Sequence, residues 1–89
     1  MFLAKVIGNV VSTQKDERLI GSKLLIIKKI NENGEMQEDM LVAADTVGAG
    51  NGEIVLVITG STARLMEKDQ AVPIDASIVG IVDEIVVGK

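Results

Sequence analysis

The sequence predicts an all-β fold, a small barrel of five strands, and three observations point to it. Apolar runs rich in Val, Ile and Leu recur at short spacing, at 2–10, 24–27, 36–44, 54–59 and 78–87. The pair Asn33-Gly34 sits between two of these runs, and this dipeptide is a strong hairpin signal because a type I′ turn needs positive φ at both central positions. The chain has only 89 residues, of which 47% are hydrophobic, so several short strands must close or nearly close on themselves to hide their edges.

Each element has its own justification. Over 2–10 the even positions Phe2, Ala4, Val6, Gly8 and Val10 form an uninterrupted apolar or small face, while the odd positions mix Leu3 and Ile7 with Lys5 and Asn9. Residues 14–18 are polar and charged and read as a solvated loop. Leu24-Leu25-Ile26-Ile27 starts a strand that is apolar on both faces. After Asn33-Gly34 the chain returns over 36–44 with Met40, Val42 and Ala44 on one face. A buried strand over 54–59 and a last strand over 78–87 complete the set. One short helix is expected over 61–67, because the hydroxyl of Ser61 or Thr62 can accept from the unpaired amides of a first turn. With no repeat, low-complexity segment or linker, residues 1–89 read as a single domain.

Composition bounds the function. A domain this small buries about 60–65% of its unfolded surface when it folds alone. With Phe2 as the sole aromatic, the core is thin and aliphatic, and oligomerisation is the natural route to further burial. The absence of cysteine removes disulfides and thiolate metal sites and is compatible with a cytoplasmic location. The opening Met-Phe-Leu-Ala-Lys lacks a basic segment followed by a long apolar one, so no signal peptide is expected. No apolar run approaches the roughly 20 residues that span a bilayer, so no membrane partner is expected. A net charge of −4, with Lys28-Lys29 as the only adjacent basic pair, is the reverse of a phosphate-binding footprint. The barrel is expected to be OB-like in shape, but without the aromatic stacking platform that nucleic-acid binding requires.

Catalytic chemistry has little to stand on. The chain has no His and no Cys, so the commonest general base, metal ligand and activated nucleophile are missing. Glu38-Asp39 and Asp83-Glu84 are adjacent carboxylates, and neighbours on a strand point to opposite faces. Ser61 lies in no G-x-S-x-G elbow. No catalytic residue, cofactor or metal ligand is expected.

The most informative stretch runs from Asp45 through Gly48, Gly50 and Gly52 to Glu53 and then into the apolar strand that ends at Thr59-Gly60-Ser61. A phosphate-cradling loop needs strand, glycine-rich turn and then helix, whereas this loop feeds a strand with G-x-G-x-G spacing. A tight structural loop is the better reading, with at least one of the three glycines at positive φ. Ser61 either caps a turn or, with Gly60, lines a small polar opening. Arg64 is either a solvated charge or a planar fork for a carboxylate on a neighbouring subunit.

These same residues carry a resemblance. Asp-Thr-Val-Gly-Ala-Gly-Asn-Gly-Glu at 45–53, Val-Leu-Val at 55–57, Gly-Ser-Thr-Ala-Arg at 60–64, Pro-Ile-Asp-Ala at 73–76 and Ile-Val-Gly-Ile-Val-Asp at 78–83 resemble the EutN/CcmL family of pentameric vertex proteins of bacterial microcompartment shells. The segments 4–13 and 19–25 fit the same pattern, so the likeness covers nearly the whole chain. It implies a structural protein that forms a homopentamer, caps the vertices of a carboxysome-like shell and meets hexameric shell proteins. Under it, Asp45, Gly48, Gly50, Gly52, Glu53, Thr59, Gly60, Ser61, Arg64 and Asp83 are expected at the subunit interface or five-fold axis. Gly60 and Ser61 are placed near the axis, and Arg64 off it, reaching Asp45, Glu53 or Asp83. The alternative is a small acidic barrel serving as a ligand-binding or scaffolding module of an enzyme complex. Size in solution separates the two, and the two-faced apolar run at 24–27 favours the oligomer.

Overall fold

A computed structural model of the chain describes residues 1–11, 21, 23–60 and 75–88. Its strands are β1 (Phe2–Asn9), β2 (Lys23–Ile30), β3 (Met36–Asp45), β4 (Ile54–Thr59) and β5 (Ala76–Val82). They form a closed barrel in the order β1-β2-β3-β5-β4, and every pairing is antiparallel except that of β3 with β5. The expected OB-like, all-β barrel is therefore observed. The short helix expected over 61–67 is not borne out: no helix occurs among the described residues, and that segment lies outside them.

The core is aliphatic. Val6, Leu25, Ile27, Val55, Val57 and Ile78 pack with Ala4, Ala43, Ala49 and Ala76, and Phe2 leans against the cluster from one side. Fully burying each of the larger side chains stabilises the fold by about 1.5–3 kcal/mol. Lys29 holds its ammonium 4.8 Å from the centroid of the Phe2 ring, covering the ring's outer face.

Three expectations about the strands need correction. The even face of β1 holds for Ala4 and Val6, which are buried, but the register against β2 shifts between Val6 and Gly8. Directly paired residues share a face, so Gly8, opposite Ile26, leaves the core side that Val6 shares with Ile27. The last strand spans Ala76–Val82 rather than 78–87, because Val82 is paired with Ile54, the first residue of β4, and no strand partner exists beyond it among the described residues. The hairpin is present, but not as a two-residue type I′ turn at Asn33-Gly34. The amide of Asn31 donates to the Glu35 carbonyl and that of Gly34 to the Asn31 carbonyl, so the loop has three residues with Gly34 at φ 79°. The Asn31 side chain fixes this loop, accepting from the amides of Asn33 and Glu35.

The segment from β3 to β4 is organised by one carboxylate. Asp45 Oδ1 accepts from the amides of Val47 (3.0 Å) and Gly48 (3.1 Å), and Oδ2 accepts from Ala49 (2.9 Å). Its side chain is only 1% exposed. Lys23 Nζ lies 3.7 Å from Oδ2 and donates to the Ala49 carbonyl at 3.0 Å. This folding-back turns Ala49 into the core, where it is fully buried. Thr46 Oγ1 donates to the Ile78 carbonyl at 2.7 Å, tying the start of the loop to β5. The return leg docks on β1: the Gly52 amide donates to Val6 O and the Val6 amide to Glu53 O. Gly48 and Gly52 sit at φ 80° and 85°, as the glycine spacing leads one to expect, whereas Gly50 does not have positive φ. Gly50 contributes its amide instead, donating to Glu53 Oε1 at 2.7 Å.

Two substitutions separate these contributions. Asp45→Ala strips the acceptor from three amides and is expected to lower unfolding stability by on the order of 3 kcal/mol, against under about 1 kcal/mol for Lys23→Ala at the half-exposed end of the ion pair. Urea midpoints measure both, and equal losses would refute the ranking. Gly52→Val is expected to destabilise by at least about 1 kcal/mol because a Cβ opposes the left-handed backbone, while Gly50→Ala is expected to be nearly neutral.

Candidate functional site

The residues singled out from the sequence fall into separate places on the barrel. Glu53 precedes β4 and Asp83 follows β5, and the pairing of Ile54 with Val82 brings these two exposed carboxylates to the same end. Thr59 and Gly60 lie at the other end of β4, about 17 Å away along the strand. There Thr59 pairs with Ala76 and the Gly60 amide donates to the Asp75 carbonyl at 2.9 Å, making the neck from which the chain leaves β4 and re-enters β5. Gly60 has φ 75° and both neck residues Thr59 and Gly60 are exposed. Ser61 and Arg64 lie outside the described residues.

The Asp45 carboxylate is turned to its own loop. Its oxygens face three amides there, and almost none of the side chain reaches the surface. The other two acidic residues of the expected set, Glu53 and Asp83, are exposed. Glu53 already accepts from the Gly50 amide, whereas Asp83 is exposed and makes no ion pair among the described residues.

The same topology clarifies the other acidic pairs. Asp83 and Glu84 are exposed where the chain bends away from β5, and no cluster of three or more acidic residues able to hold a metal occurs among the described residues. What the described surface offers instead is apolar. Met40 and Val42 occupy the outer face of β3, opposite Lys28 and Ile26, and are 58% and 43% exposed. Met36 and Leu41 on the same strand and Ile7 on β1 are also exposed. The shared face of Met40, Val42 and Ala44 was legible in the sequence; that Met40 and Val42 on it lie outside the barrel while Ala44 is buried was not, because strand alternation alone does not say which face is the core.

Two features had no separate place in the sequence reading. β3 meets β5 only at Ala44 and Asp45, so from Met36 to Ala43 its second edge has no strand partner among the described residues. Residues 84–88 continue the β-branched pattern of β5 but form no strand, with Val86 82% and Val87 56% exposed. The signal for the second was present as the apolar run to 87; its meaning depended on where β4 begins.

Comparison with known proteins agrees with the barrel. A family model described as "Ethanolamine utilisation protein EutN/carboxysome" matches residues 1–83. The bacterial microcompartment shell vertex protein GrpN of Rhodospirillum rubrum is 54% identical over 86 residues, 96% of each chain. The carboxysome shell vertex protein CcmL of Thermosynechococcus vestitus is 48% identical over 85 residues, covering 96% of this chain and 86% of its own. The solved structure of GrpN, described as a pentameric microcompartment shell protein, superposes with a TM-score of 0.89 at 48% identity over all of both chains. On the extent of these matches, the chain belongs to the EutN/CcmL family of microcompartment shell proteins.

Proposed function

We propose that this chain forms a cyclic homopentamer that caps the five-fold vertices of a microcompartment shell in the bacterial cytoplasm, bordered by hexameric shell proteins. The observation that carries the reading is the near-complete match, in sequence and in fold, to shell vertex proteins that include a pentameric one. The surface supports it: a closed barrel of this size leaves Met36, Met40, Leu41, Val42 and Val86 exposed, more aliphatic surface than an isolated chain has reason to carry. A sheet of six-fold tiles is flat, and replacing a six-fold unit by a five-fold one forces it to curve. The role is therefore geometrical and needs no catalytic residue or cofactor. The whole chain, residues 1–89, acts in this reading as one vertex unit.

Within the pentamer, the neck at Thr59 and Gly60 is placed near the axis with Ser61, where five copies of a small neutral residue crowd without repulsion. Arg64 sits off the axis and pairs with Asp83, or with Glu53, of the adjacent subunit.

Native mass spectrometry at micromolar concentration is expected to show five chains; a population of monomers or dimers alone would sink the reading. Co-expression with a hexamer-forming shell protein is expected to give closed polyhedral particles by electron microscopy, and omission of this chain is expected to leave shells open at their corners. Arg64→Ala is expected to weaken the ring by on the order of 3 kcal/mol per interface if the pair is desolvated, while Arg18→Ala leaves assembly unchanged. Asp83→Asn in the Arg64→Ala background should then add little, and fully additive losses would exclude Asp83 as the partner.

A further inference from the structure

The fold leaves two matching pieces of unsatisfied β-structure on one chain. β3 carries an edge from Met36 to Ala43 without a strand partner among the described residues, flanked by the exposed side chains of Met40, Leu41 and Val42. Ile85, Val86 and Val87 form a β-branched run that lies outside any strand, with Val86 and Val87 largely in solvent. An open edge and an unpaired apolar segment are complementary, because each supplies the backbone donors and acceptors that the other lacks.

The topology prevents the two from meeting within one chain. β5 runs parallel to β3 and pairs Ser77 with Ala44, so it carries the chain away from Met36–Ala43. Measured along the strands, Leu41 and Asp83 are about 30 Å apart, whereas the segment from Asp83 to Val87 reaches about 13 Å. Donor and acceptor therefore face different neighbours. A contact between two different patches of identical chains is heterologous, and when its rotation closes it makes a ring.

Resting on the pentameric reading, we infer that residues 85–87 of each subunit add as an antiparallel strand to the open edge of β3 in the next subunit, and that this strand addition closes the ring. Charge selects the direction. Antiparallel pairing with Val87 opposite Leu41 sets Val86 opposite Val42 and Ile85 opposite Ala43, and carries Asp83 toward Asp45, whose carboxylate is buried and held by three amides of its own loop. Parallel pairing over the same stretch, with Ile85 opposite Leu41, brings Asp83 beside Asp39, and both are exposed, setting like charges side by side. In the antiparallel register apolar residues meet on both faces of the added strand.

The chain has no cysteine, so a disulfide can report this contact in the full-length protein. Opposed residues of an antiparallel pair have Cα atoms about 4.5–5.5 Å apart, within the span a disulfide bridges. The double variant Leu41→Cys, Val87→Cys, oxidised with diamide, is expected to give a ladder of covalent multimers on non-reducing gels that ends at the full ring and collapses on reduction. Val11→Cys with Val87→Cys, which places the first thiol on another exposed site, is expected to give no ladder. A pentamer by native mass spectrometry that yields no covalent ladder would overturn the strand addition while leaving the vertex reading intact. An internal disulfide within single chains would overturn it as well, and the absence of any pentamer in the unmodified protein would remove both. As a second variant, truncation after Asp83 is expected to leave a folded barrel by circular dichroism that has lost assembly; a truncated chain that still forms pentamers refutes the inference.

Discussion

Three seams of this barrel meet at Asp45. The residue ends the β2–β3 ladder opposite Lys23 and forms half of the short parallel contact with β5, opposite Ile78. Its carboxylate then gathers the next amides into a compact turn that sends Ala49 into the core and brings Gly52 and Glu53 onto Val6 of β1. A buried carboxylate is tolerated here because backbone N–H groups satisfy it, an arrangement much more favourable than the same charge left unpaired. The ammonium of Lys23 adds little at its distance and exposure, but its bond to the Ala49 carbonyl closes the turn from outside.

The glycine spacing that draws the eye first is a consequence of this arrangement. Gly48 and Gly52 bear the left-handed bends at the two ends of the wrapped segment, and Gly50 between them supplies an amide to Glu53. A loop that holds its own carboxylates in this way has few amides left for a phosphate. Its hydrogen bonds, like the order of its elements, are those of a tight structural loop.

How much was legible beforehand follows from what each signal encodes. Alternation at Ala4 and Val6 and the apolar runs reported strands reliably, because they encode a period. Asn33-Gly34 reported a hairpin but not its loop length, since the same glycine also serves a three-residue loop whose geometry is set by the Asn31 side chain. The face switch after Val6 and the end of β5 at Val82 were hidden, because each is dictated by a partner strand distant in sequence. For the site, the resemblance set Gly60 near the axis and offered Asp45, Glu53 and Asp83 as acidic partners for Arg64. The structure shows Asp45 as a buried organiser of its own loop, Glu53 and Asp83 together at one barrel end and Thr59 with Gly60 at the other, positions that only the closed topology reveals.

The parallel contact between β3 and β5 has a consequence for how the chain acquires its shape. β1, β2 and β3 are joined by antiparallel pairings of neighbours in sequence, whereas closing the barrel requires Thr46 to find Ile78, 32 residues along the chain. Loop-closure entropy opposes that step, and few ladder bonds are formed when it succeeds. The sheet of the first three strands therefore forms early and the cylinder late. Until that contact forms, the apolar inner face of the sheet stays open, and the time spent in that state sets the exposure of each chain to misassociation.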